Sequence, residues 1–79
     1  MSSAGQVIAA ANAARRTLRI CNLGPDPVAI GAAGLTWAQR CIVLLAGDVW
    51  VEDRGGNLAW SGICEAGKNA SVTWQGVNA

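Results

Sequence analysis

The chain has 79 residues, 52% of them hydrophobic and 14% charged, which is enough for one domain with a thin core, since a chain near this size buries only about 60% of its unfolded surface. Six Lys and Arg stand against five Asp and Glu for a net charge of +1, which excludes the broad basic field that gathers nucleic acid or an anionic membrane. The longest purely apolar run, Cys41-Ile42-Val43-Leu44-Leu45-Ala46, is far below the roughly 20 residues that span a bilayer, so a soluble protein is expected.

Residues 1–79 read as a single β-sandwich domain, with residues 1–5 as a flexible N-terminal arm that lacks the apolar core of a secretory signal. Gly and Pro then punctuate the sequence at fairly even intervals, at Gly24-Pro25-Asp26-Pro27, Gly31 to Gly34, Gly47-Asp48, Gly55-Gly56-Asn57 and Gly67-Lys68-Asn69. Short apolar runs between such turns predict an all-β, antiparallel sandwich or barrel of about seven strands. The strands fall near residues 6–10, 17–23, 28–31, 42–45, 48–52, 59–65 and 71–75.

The first stretch is contested, because residues 7–18 are rich in Ala and Arg and propensity alone makes them helical. Asn12 breaks that run and no 3.6-residue apolar stripe runs through it, so strand, turn and strand is preferred. In the second strand Leu18 and Ile20 alternate with Arg19 and Cys21, and in the last Val72 and Trp74 alternate with Thr73 and Gln75. Residues 42–45 lack polar alternation and read as a strand buried on both sides or as the centre of the core. The expected core is Leu18, Ile20, Val43, Leu45, Val72 and Trp74.

So small a core needs help from disulfides, a metal or oligomerisation. Cys21, Cys41 and Cys64 are odd in number, widely spaced and preceded by no secretion signal, which reads as packing thiols in a reducing cytoplasm. Histidine is absent and no C-x-x-C pair occurs, so neither a metal nor another cofactor is expected. Oligomerisation remains by elimination.

Catalytic chemistry finds little footing. Without histidine the usual base of a hydrolase triad is missing, and Glu52-Asp53, the one close carboxylate pair, points to opposite faces of a strand. Cys41 has a cationic neighbour in Arg40 but reads as a buried thiol. No phosphate-cradling glycine motif is present. No catalytic residue is assigned, and a non-enzymatic protein is expected.

The four tryptophans, Trp37, Trp50, Trp60 and Trp74, are the only aromatic residues. Trp74 fits a core face, and Trp50 lies on the opposite face of its strand from Val49 and Val51. Trp37 lies beside Arg40 in the loop Gly34-Leu35-Thr36-Trp37-Ala38-Gln39-Arg40, a pairing that is enriched at protein interfaces; packing over the edge of the sandwich is the other reading. Arg15, Arg16 and Arg19 form the only basic cluster and read as solvated charges, with an interfacial ion pair as second choice. The candidate interface residues are Trp37, Arg40, Arg15, Arg16 and Arg54.

The order of these motifs resembles small virion-associated β proteins of tailed bacteriophages. Gln6-Val7-Ile8-Ala9 followed by Asn12-Ala13-Ala14-Arg15 resembles their opening, where an apolar strand reaches an Asn-x-x-Arg turn, and a second strand ends at Asn22-Leu23. The likeness continues through Val28-Ala29-Ile30-Gly31, Ile42 to Trp50 and Ser61-Gly62-Ile63-Cys64-Glu65-Ala66-Gly67 to a final strand over residues 70–75. The resemblance implies a protein made in the host bacterial cytoplasm and built into the virion as a capsid decoration or cement protein. Its partners would be other copies of itself, as a homotrimer, and the major capsid protein. A tail, fibre or baseplate component is the runner-up, and a carbohydrate-binding module using Trp37 and Trp60 is the alternative from another class.

Overall fold

The computed structural model describes residues 1–78. Seven strands follow in chain order: β1 (Gln6–Ala9), β2 (Arg15–Pro25), β3 (Val28–Gly31), β4 (Ile42–Leu44), β5 (Val49–Glu52), β6 (Trp60–Cys64) and β7 (Ala70–Asn78). A single turn of 3-10 helix, Trp37–Gln39, lies between β3 and β4. The contested N-terminal stretch is strand, turn and strand: the Asn12 carboxamide oxygen accepts the Ala14 N–H at 3.0 Å and its carbonyl accepts the Arg15 N–H at 3.0 Å. Asn12 thus offers the backbone a turn that helix propensity cannot match.

The strands form two antiparallel sheets, one ordered β1-β6-β3-β4 and the other β5-β2-β7. Of the chain-adjacent strands only β3 and β4 are neighbours in one sheet, so the other connections cross from sheet to sheet and tie the layers together. Between the layers lie Ala9, Leu18, Ile20, Val28, Ile30, Leu44, Cys64 and Ala70, with Met1, Ile8, Ile42, Trp50, Trp60 and Val72 packed around them. The largest fully buried side chains are Leu and Ile, each stabilising the fold by about 1.5–3 kcal/mol. Trp50 and Trp60 line the margin of this core.

Asn22, fully buried in β2, adds a polar bracket. Its side-chain nitrogen donates to the carbonyls of Leu44 at 2.8 Å and Asp26 at 2.9 Å, and its side-chain oxygen accepts the Gly24 N–H at 2.7 Å. One amide therefore joins the end of β2 to β4 in the opposite sheet. Among the described residues every buried side-chain nitrogen and oxygen has a hydrogen-bond partner, as a stable interior requires.

Three of the six expected core residues are corrected. Val43 is 36% exposed and Leu45 56% exposed, whereas Leu44 between them is buried. The uninterrupted run at β4 belongs to an edge strand with one covered face. Trp74 is 44% exposed: it pairs with Ile20 and shares its inner face, but β7 is an edge strand and the sandwich is open beside it. Within the stretch expected to be an N-terminal arm, the Met1 amino group donates to the Ala70 carbonyl at 2.8 Å, the Met1 carbonyl accepts the Ala70 N–H at 3.0 Å, and the Ser2 carbonyl accepts the Cys64 N–H at 2.8 Å. The first two residues close one end of the open side.

Candidate interaction surfaces

The Trp37 to Arg40 loop is an ordered unit. Thr36 caps the 3-10 turn, its hydroxyl oxygen accepting the Gln39 N–H at 3.3 Å. The Arg40 guanidinium donates to the Trp37 carbonyl at 2.8 Å and lies 4.6 Å from the centre of the Trp37 ring, a cation–π contact worth about 0.5–1 kcal/mol when exposed. The fold brings these two residues together, with Trp37 half-buried and Arg40 exposed. One polar and one aromatic surface are held in a fixed relation.

Arg15 does not belong to the solvated cluster expected from the sequence. It is 4% exposed, and its guanidinium donates to the carbonyls of Gly56, of Leu58 at 2.9 Å and of Ala10 at 3.1 Å, while lying 5.4 Å from the Trp74 ring centre. The cause is a bulge in β2 between Arg15 and Thr17. It reverses the alternation that would send Arg15 outward when Leu18 and Ile20 point inward. Two glycines make room: a Cβ on Gly76 would stand 2.6 Å from the Arg15 Cδ, and one on Gly56 would collide with the Arg16 carbonyl. Arg16, Arg19 and Arg54 are exposed.

Glu52 organises the turn beyond β5. Its carboxylate accepts the Gly55 N–H at 2.9 Å, the Arg54 N–H at 3.3 Å and the Trp50 indole N–H at 3.3 Å. The Gly55 hydrogen bond, assisted by those from Trp50 and Arg54, holds its carboxyl below the usual value against partial desolvation. This carboxylate fixes the loop that follows β5. Cys64 is buried and desolvation pushes its thiol upward; Cys21 is half-buried, and Cys41, expected to be buried, is exposed. Among the described residues no group of three or more His, Cys, Asp and Glu could hold a metal ion.

Further exposed apolar side chains stand on the outer faces of the sheets. On the four-stranded sheet Ile63, Ala29 and Val43 are register partners in one row, and Val7, Ser61 and Gly31 in the next. Opposite them point the core residues Val28, Ile30, Leu44 and Cys64. Ala29, Ile63 and Ser61 in the middle of these rows are buried, so their exposed members are Val7 and Val43 on the two edge strands, and neither row contains a charge. On the three-stranded sheet the rows are Val51, Arg19, Gln75 and Val49, Cys21, Thr73, with both valines more than half exposed. Sequence reasoning placed Val43 in the core and assigned no surface role to Val7, Val49 or Val51. The signal was present as Val49-Trp50-Val51, which cannot be apolar on both sides without an uncovered valine pair.

No protein-family model, no curated protein and no solved structure matches the chain.

Proposed function

We propose that this chain is a non-enzymatic structural module that works by contact with other protein chains, and that it decorates or cements the shell of a tailed phage as a homo-oligomer. One observation carries the contact role: large aliphatic side chains stand exposed on the outer faces of both sheets, including Val7, Val43, Val49 and Val51. A half-solvated sheet would normally alternate to polar residues on such faces, so solvent-facing valines there favour cover by another chain. The phage setting, the capsid as partner and the trimeric state rest on the order of motifs in the sequence.

The tryptophans favour this reading over a glycan platform. The Trp60 indole N–H is taken by the Gly55 carbonyl at 3.0 Å and its ring packs on the core, while Arg40 already lies over the Trp37 ring. Trp37 and Arg40 instead offer a preformed anchor of the type that dominates interface energetics. The test is co-sedimentation of purified protein with preformed phage shells. Trp37→Ala and Arg40→Ala are expected to weaken binding by at least tenfold, as loss of about 2 kcal/mol at an interface anchor would, with unchanged circular dichroism. Binding of both variants at the parent's level would remove the loop from the interface, and a parent that binds no shell would overturn the decoration role.

A further inference from the structure

The four sheet edges differ greatly. β1, β4 and β5 are three or four residues long, and β1 carries a bulge between Val7 and Ala9. β7 is nine residues long, pairs only with β2, and contains no charged residue, no proline and no bulge of its own. Natural edges are shielded by those devices, or by being short or covered. β7 has none of them along most of its length.

Its free hydrogen-bonding groups can be named. The Asn22 N–H donates to the Asp48 carbonyl and the Asn22 carbonyl accepts the Gly47 N–H, both on the β5 side. Its register partner Val72 therefore turns its own N–H and C=O away from β2, toward the free edge. Ala70, two residues earlier, confirms the phase, because its N–H and C=O are both taken by Met1 on that edge. The same alternation aims the N–H and C=O of Trp74 and Gly76 outward. Met1 takes the edge at Ala70, and among the described residues no backbone hydrogen bond reaches that edge from Val72 onward.

We infer that the exposed edge of β7 is a self-association site at which β7 of a second copy pairs antiparallel across Val72, Trp74 and Gly76, joining two three-stranded sheets into one of six strands. This rests on the reading that the chain self-assembles, and it names the surface. The occupant is a second copy because a twofold axis at Trp74 sets the open segment against itself: Val72 faces Gly76 of the other copy and Trp74 faces Trp74. Each donor then meets an acceptor, six bonds in all by the antiparallel pattern. An uncharged strand meets its own copy without like-charge conflict. The pairing also covers Trp74, which sits half-exposed beside a 220 Å³ gap lined by Met1, Gln6, Val7, Ile8 and Val72.

The open segment of five residues spans only about 17 Å, so the contact falls well short of the roughly 1,600 Å² of a standard interface. Association is therefore weak in dilute solution and strengthened when copies are held together on an assembly. A twofold contact links copies, or trimers of copies, in pairs.

The experiment is sedimentation of the full chain across a concentration series, paired with residue-resolved amide exchange by NMR. Exchange at Val72, Trp74 and Gly76 is expected to slow as association proceeds, by about tenfold when one chain in ten remains unpaired, since those amides exchange only from the open form. Thr73 and Gln75, which face β2, are protected at every concentration. Trp74→Lys places a charge at the centre of the edge and is expected to abolish both effects. Association without slowing at the three amides, or undiminished in Trp74→Lys, overturns the edge and leaves self-assembly standing. A chain that binds shells yet stays monomeric at all concentrations also overturns the edge alone, whereas one that neither associates nor binds shells overturns both readings.

Discussion

Arg15 offers the most direct measurement of how this small fold holds together. Arg15→Ala removes the guanidinium from three carbonyls: that of Gly56 in a buried bond, and those of Ala10 and Leu58 in partly buried ones. The Gly56 oxygen is left without a donor, at about 1–3 kcal/mol, whereas the other two can turn to water. Lost cation–π contact with Trp74 adds about 0.5–1 kcal/mol, and the missing stem leaves a void against Gly76. The variant gains in one respect, since it no longer buries a charge. The net expected loss is about 2–3 kcal/mol, from a total stability of roughly 4–12 kcal/mol for a chain of this length. At roughly 4–8 °C per kcal/mol the melting temperature should fall by about 10–20 °C, as read by far-ultraviolet circular dichroism. Arg15→Lys keeps stem and charge, but one ammonium lacks the planar fork that reaches three acceptors; about half the loss is expected. An Arg15→Ala protein that melts within roughly 4 °C of the parent would refute the clamp and return Arg15 to the candidate interface.

Two further outcomes follow from titratable groups inside the fold. Glu52 has its folded pKa lowered chiefly by the Gly55 N–H, so its contribution is present above the ordinary glutamate range and is lost as pH falls through the folded value; Glu52→Gln should flatten that acid limb in urea melts taken along a pH series, and an unchanged limb would remove Glu52 as its source. Alkylation followed by peptide mass mapping should modify exposed Cys41 first, Cys21 more slowly and Cys64 only on unfolding, given its burial and raised pKa. Modification of Cys64 at the rate of Cys41 would mean that the Met1 and Ser2 contacts at that end of the sandwich do not hold.

Strand positions were legible because turn chemistry and period-2 patterning are local. Residues 28–31 match β3 to the residue, and Leu18 and Ile20 are fully buried as their alternation with Arg19 and Cys21 predicts. The strand–turn–strand reading of the N-terminal stretch rested on Asn12, and Asn12 makes that turn. Arg15 was not legible for a specific reason. A β-bulge adds one residue to one strand and reverses every facing assignment beyond it, and nothing in Arg15-Arg16-Thr17 announces where that residue falls. Its signal lies 41 and 61 residues away, in Gly56 and Gly76, whose missing side chains make room for the bulged strand and the Arg15 stem.

The misplacement of Val43, Leu45 and Trp74 has a different origin, and it bears on function. Alternation divides a strand into two faces, but which face is covered depends on how many layers the chain can build. Among the described residues there are two sheets and no third, so the apolar residues of β4 and β5 beyond those that fill the interior face outward. Reading every aliphatic as core assumes that the fold contains its own partner. Here the excess is concentrated on the outer rows and beside the open edge at Trp74, where another chain can reach it. The residues that sequence patterning places wrongly in the interior are thus the ones with most to gain from association, and the same shortage of interior that makes the core thin supplies the surface for contact.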